Sequence, residues 1–300
     1  MICLLQIINQ EFQNADKNNF WGISNDAWFT GLTPILLFIL GYIINKQIEN
    51  RKESRRIKDL EEYLIRNLEI LKEPLQKQIK SLLNLSHSLK EKKEQHFYLD
   101  DIVSFNVAQI KAIDNKDLYT IFIKDKKGSL SKKIELFGRL RANIDYIHEV
   151  KHKMKEDFVI FWEKYDKYQQ EFRGNMEQTD WEFNSMISNS QSNSLAQDLF
   201  LSNLNNIRLK WATSAPDGKD YRDMFVAKTE YLQPLKILCV QNNRDPRAPF
   251  ILRLVMNCIY ALNDIEETKT FYRRDYLLTA RKLQKSWFDI SQIINEFKSM

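Results

Sequence analysis

The chain has 300 residues, 43% apolar and 28% charged, with only seven Gly and six Pro; such a composition buries a core and excludes general disorder and a turn-rich β architecture. The net charge is +5, yet Lys46, Arg51, Lys52, Arg55, Arg56 and Lys58 set against Glu49 and Glu53 supply +4 of it locally, so no specific nucleic-acid partner is expected for the rest. Cys3, Cys239 and Cys258 are odd in number and have no metal-ligand spacing, which fits a reducing compartment.

Residues 1–26 read as a short extracytoplasmic segment, apolar at the start but without the basic leader of a signal peptide. Ala27 to Asn45 then runs for nineteen residues without a formal charge. At the helical rise this covers about 28 Å, close to the hydrocarbon thickness of a bilayer, so 27–45 is expected to be a transmembrane helix. No small-residue cleavage site follows, so it is expected to stay as an anchor. Trp21, Trp28 and Phe29 suit the outer interface and Tyr42 the inner one. Pro34 marks either the start of the regular helix or a mild kink, and Gly31 and Gly41 are not in GxxxG spacing. The basic residues from Lys46 to Lys58 fall just after the span. By the positive-inside rule the N-terminus lies outside and residues 46–300 lie in the cytoplasm, at an inner membrane. Those six basic side chains are the expected contacts to anionic lipid head groups. Lys-, Ile- and Asn-rich usage fits a bacterial source.

Residues 46–176 are expected to form a juxtamembrane arm and a coiled-coil-like helical hairpin. Ile57, Leu60, Leu64, Leu68, Leu71, Leu75, Ile79, Leu82, Leu85 and Leu89 make one apolar stripe, spaced by about three and four as on one helix face, and Pro74 should bend it. Phe97 to Ile113 reads as a short helix or an extended stretch. Asp114-Asn115 looks like a cap for a short helix ending near Lys124. Lys124, Lys126, Lys127, Lys132 and Lys133 suggest an exposed basic turn around Gly128.

A heptad-like seam follows, built from Phe137, Leu140, Ile144, Ile147, Met154, Phe158, Phe161, Tyr165, Tyr168 and Phe172, with Lys151 where an apolar residue was due. Its expected partner is the Ile57–Leu89 arm, antiparallel to it. Gly174 should end that helix, and 177–194, rich in Ser, Asn and Gln, reads as a polar linker. Residues 195–300 are expected to close a second helical bundle, with Pro216-Asp217-Gly218 and 242–249 as loops and Pro249 in the first turn of a helix. The class is therefore all-α: one N-terminal transmembrane helix followed by an elongated cytoplasmic helical bundle.

Two short patterns on the seam helix bear on chemistry. His148-Glu149-Val150-Lys151-His152 resembles the HExxH motif of zincin metalloproteases, in which two imidazoles one turn apart hold zinc and the Glu serves as base. Lys151 puts a cation beside such a metal, and Glu163 and Glu171 lie about 17 Å or more further along the same helix. The match is read as fortuitous, and no metal or cofactor is expected. Arg141 and His148, with six residues between them, resemble the Arg-x4-6-His signature of HEPN ribonucleases. That resemblance implies an all-α nuclease in which the pair cleaves RNA at a dimer cleft, and residues seven apart do share a helix face.

No Walker loop, GxGxxG, GxSxG or CxxC motif occurs in the sequence. The chain is thus expected to be a membrane-anchored helical interaction module rather than an enzyme: a sensor, scaffold or effector, for instance in a bacterial antiphage or stress system. Its partner would be a protein or a second copy, bound through the helical seams. A membrane-tethered HEPN-like ribonuclease using Arg141 and His148 is the alternative.

Overall fold

The computed structural model describes residues 25–93, 95–100, 107–124, 128–189, 198–213 and 223–299, with side chains from Thr30 onward. The regular elements there are all helical: α1 (Asn25–Ile70), α2 (Lys72–Ser88), α3 (Ala108–Lys111), α4 (Asn115–Tyr119) running into a π-turn (Thr120–Lys124), α5 (Leu130–Asn189), α6 (Leu199–Thr213), α7 (Met224–Ala227) with a π-turn (Lys228–Leu232), α8 (Gln233–Gln241) and α9 (Ala248–Ser299). No strand occurs among the described residues. The chain divides into two compact units, 1–63 and 64–300.

The first unit contributes most of α1. Pro34 lies inside this helix rather than at its first turn. The helix continues because a proline removes only its own donor, a loss confined to one turn.

In the second unit α9 is the shared element, packed against both α5 and α2. Its buried side chains include Leu254, Val255, Cys258, Leu262, Ile265, Leu283, Ile290 and Ile294, a three-four repeat sustained along 52 residues. Cross-contacts fix the directions. Glu69 meets Lys298 at 2.8 Å, Ser86 Oγ donates to the Arg273 carbonyl at 3.1 Å, and Lys269 Nζ donates to the Glu91 carbonyl at 2.6 Å, so α2 and its flanks run antiparallel to α9. Lys132 pairs with Glu296 at 3.1 Å, Arg139 with Asp289 at 3.8 Å, and Phe161 packs edge-on to Tyr272 at 5.4 Å, so α5 runs antiparallel to α9 as well. The seam on α5 thus meets α9, where the sequence suggested the Ile57–Leu89 arm. The C-terminal region shares a core with the seam.

Proline chemistry sets two of the breaks. Pro74 has no N–H for the Ile70 carbonyl and its ring crowds that group, and α1 gives way to α2 at Leu71. Pro234 lacks the N–H that would have bonded the Glu230 carbonyl, and the turn before it widens to π form.

The residues between α2 and α5 also have physical reasons for their shape. The stretch 95–100 carries no regular structure but is pinned to α2: Gln78 Nε2 donates to the Asp100 carbonyl at 3.1 Å, and the Asp100 N–H donates to Ser81 Oγ at 2.9 Å. It delivers Phe97 into an aromatic cluster with Phe161, Trp162 and Tyr165 at 5.2 to 6.1 Å. Asp114 caps α4, accepting from the Lys116 N–H at 3.0 Å. The basic turn differs from expectation. Lys133 is buried and donates to the Ile123 carbonyl at 2.6 Å, and Lys132 is ion-paired to Glu296; Lys126 and Lys127 lie outside the described residues.

Two further expectations are corrected. At Lys151 the seam shifts by one residue, and Val150 takes the buried position. Gly174 does not end the helix. α5 continues to Asn189 with Phe172, Thr179 and Phe183 buried, so residues 177–189 of the polar stretch are helical; 190–194 lie outside the described residues.

Candidate functional site

Two surfaces stand out. The first is the apolar part of α1. Ile35, Leu36, Leu37, Phe38 and Ile39 are all exposed, and with Leu32, Tyr42, Ile43, Ile44 and Ile48 their exposures range from 38 to 76%. Consecutive helical residues are turned by about 100°, so five in a row cover every side of the helix. Such a surface has no solvated face. A helix apolar all round belongs in a protein core or in lipid, and no described residue covers this one. Two helical runs among the described residues, Thr30–Ser88 and α9, are long and apolar enough to cross a membrane. Their surroundings differ: the apolar window of the first is wholly unburied, whereas half of that in α9 lies inside the fold, as expected of a core helix.

The cationic residues sit directly after this surface. Lys46, Arg51, Lys52, Arg55, Arg56 and Lys58 are all exposed. Lys46 Nζ reaches back over the Tyr42 ring at 5.8 Å, a lysine bent toward an aromatic ring at the end of the apolar run. Arg56 forks onto Glu53 at 2.8 and 2.9 Å. Trp21 lies outside the described residues, and the side chains of Trp28 and Phe29 do as well.

The second surface surrounds Arg141 on α5. Its guanidinium donates to Asn115 Oδ1 of α4 and lies 4.0 Å from Asp145. Lys111 of α3 forms an ion pair with Asp145 at 3.0 Å. A small cleft opens between these polar groups and the apolar side chains of Ile110, Leu118 and Leu140. His148 lies one turn beyond Asp145, half-buried, and its ring meets that of His152 edge-on at 5.2 Å. Partial burial lowers the His148 pKa from its ordinary value, helped by the Lys111 ammonium and by His152 and opposed by Asp145 and Glu149. Near neutral pH this favours the uncharged imidazole.

Chemically, the cluster ties two short helices to α5 and leaves one neutral imidazole beside it. Sequence spacing alone located Arg141 and His148 on one face, without singling out Asp145. It did not reveal Lys111 and Asn115, because their arrival depends on a fold-back of α3 and α4 that no local pattern encodes. No group of three or more His, Cys, Asp or Glu side chains placed to hold a metal occurs among the described residues, and His148, Glu149 and His152 do not form one.

Among the described residues the chain is all-helical, with an exposed apolar helix segment. Comparison with protein-family models, curated proteins and solved structures found no match.

Proposed function

We propose that the chain is a single-pass inner-membrane protein whose helical body acts in the cytoplasm as an interaction module: a sensor, scaffold or effector, for instance in a bacterial antiphage or stress system. The observation that carries this reading is the apolar surface of residues 32–44, exposed around the helix among the described residues, and the six exposed cations that follow from Lys46. In water that surface would be costly, at roughly 25 cal/mol per Å² of apolar area; in a bilayer the cost vanishes. The cations would then face anionic head groups, at about 1 kcal/mol each. In this reading 27–45 is the span, the N-terminus is outside, and the basic residues hold the start of the cytoplasmic part to the lipid surface.

The interaction role draws on the body itself. Tyr260, Phe271 and Leu278 are exposed on α9, and at spacings of eleven and seven residues they share one face of that helix. Such a stripe suits a protein partner or a second copy.

The test is fractionation of cells expressing the full chain. We expect it to remain with membranes after carbonate washing and to be released by detergent, and a deletion of 27–45 to move it to the soluble fraction. Recovery of the intact chain without detergent would remove the anchor reading.

A second reading, a membrane-tethered HEPN-like ribonuclease, draws on Arg141 and Lys111 at one cleft, with His148 two turns further along α5 from Arg141 and feeling the Lys111 charge. Here His148→Ala would abolish RNA cleavage by the purified protein. Absence of cleavage by the unaltered protein, or its persistence in the variant, ends this reading.

A further inference from the structure

One face of α9 is covered by neither α2 nor α5. Tyr260, Glu267, Phe271, Arg274, Leu278 and Lys282 are exposed along it, with Asp264 half-buried beside them. At about 100° per residue these side chains fall within roughly a quarter of the helix circumference, and from Tyr260 to Lys282 the stripe runs for about 33 Å. Phe271, 64% exposed, stands midway along it. On the α5 side its ring borders an open groove of about 320 Å³, shared with Asp264 and Glu267 of α9 and with Lys164 and Tyr168 of α5.

The charges on this face are ordered. Asp264 and Glu267 precede Phe271, whereas Arg274 and Lys282 follow it. None of the four makes an ion pair among the described residues. Within the helix Glu267 and Arg274 have no means of meeting: they are seven residues apart, about 10 Å along the axis, and side chains on one helix pair at three or four. Lys164, the nearby cation of the groove, is turned over the Tyr272 ring at 6.0 Å. Asp275, an acid in the basic half, points to the other side of the seam, where it lines a cleft with Tyr146 and Lys153.

We infer that this face pairs with the same face of a second copy, the two α9 helices antiparallel about a two-fold axis at Phe271. Turned end to end, the stripe offers bases to acids. Glu267 of each copy meets Arg274 of the other, and Lys282 of each reaches the Asp264 carboxylate and the Tyr260 ring of the other. The flanks agree as well: Glu267 and Arg274 lie on one side of the stripe, Asp264 and Lys282 on the opposite side, and a two-fold of this kind keeps each flank facing its own. The Phe271 rings meet at the axis, each against the edge of the partner's groove. A parallel pairing would set acid against acid and base against base, which is costly. An unrelated partner has no need of a stripe that is its own complement when reversed, whereas a symmetric pair requires one. This inference rests on the reading of the body as an interaction module and names its partner. With a helix width of about 10 Å, such a contact is small for a specific interface, so the dimer should be of micromolar strength and come apart on dilution.

The experiment is sedimentation velocity on the full chain in density-matched detergent over a wide range of protein concentration. We expect a monomer–dimer equilibrium. Glu267→Arg and Arg274→Glu should each weaken it by about tenfold or more, because either change turns two attractions into repulsions, and Phe271→Ala should weaken it comparably. Combining Glu267→Arg with Arg274→Glu in one chain should restore the dimer, and so should mixing the two single variants; such restoration excludes damage to the fold. The inference is overturned if the chain is monomeric throughout, if the dimer is indifferent to Glu267→Arg and Phe271→Ala, or if the paired changes do not restore it. A monomer in which Phe271→Ala abolishes capture of a different protein assigns the face to that protein and overturns the pairing too. A monomer that still requires detergent overturns the pairing and keeps the anchor reading, whereas a chain soluble without detergent that dimerises as described does the reverse.

Discussion

Lys269 shows how one side chain can join three segments at a cost. It is 4% exposed; its ammonium donates to the Glu91 carbonyl and stands 5.3 and 4.9 Å over the rings of Phe97 and Phe225. Burial pushes its pKa from 10.5 down to about 8, against the pull of Asp223, Glu266 and Glu91. Below pH 8 the folded and unfolded chains both carry the proton, and the full burial cost is present. Between pH 8 and 10.5 the unfolded chain keeps a proton that the folded chain has released, so stability rises, by up to about 1.4 kcal/mol per pH unit. Denaturant unfolding measured from pH 7 to 10 should show this rise, and Lys269→Met should flatten it. The lysine was legible in the sequence only as one more helix-face charge. Its burial depends on Phe97 and Phe225, which reach it from segments far away in sequence.

At the scale of elements, α5 is the informative case. Its apolar spacing was readable from Phe137 to Phe172, and so was the Asp114 cap of α4. Gly174 and the run of Ser and Asn misled because they are weak helix formers, and local propensity was allowed to outrank periodicity. Phe172, Thr179 and Phe183 continue the buried face past the glycine, and that burial prevails. The glycine therefore remains a soft point. It is exposed within the helix, and a Cβ there would meet nothing within 4 Å. Gly174→Ala should raise unfolding free energy by about 1 kcal/mol; no change or a loss in chemical denaturation would mean that the helix is not formed there in solution. The partner of the α5 seam was not readable, since α2 and α9 both carry apolar stripes at helical spacing. The choice of α9 rests on particular pairs such as Arg139 with Asp289 and Phe161 with Tyr272.

For the whole molecule, the sharing of α9 makes the unit 64–300 a single cooperative body. Leu75 on α2 and Leu262 and Leu283 on α9 are fully buried, so damage at any of them is damage to one core. Leu75→Ala and Leu283→Ala should each cost about 2–5 kcal/mol and displace the same transition, by circular dichroism and by tryptophan fluorescence alike. Two separated transitions, each answering to only one of the variants, would show that the helices melt independently. The α1 surface behaves differently at this scale. Its apolar character was legible from the sequence because a long uncharged run needs no tertiary information to be seen.

The direction of α9 also has a consequence in time. Ser86 and Arg273 are bonded across 187 residues of sequence, and the faces of α2 and α5 have their principal partner in the helix that a ribosome completes after both. A helical protein normally folds quickly because its contacts are local. Here the decisive ones are remote, so refolding of the body should be slow for its helix content, and stopped-flow fluorescence would measure the delay. Until α9 emerges, two apolar stripes stand in water beside each other, and the nascent chain needs protection for as long as that lasts.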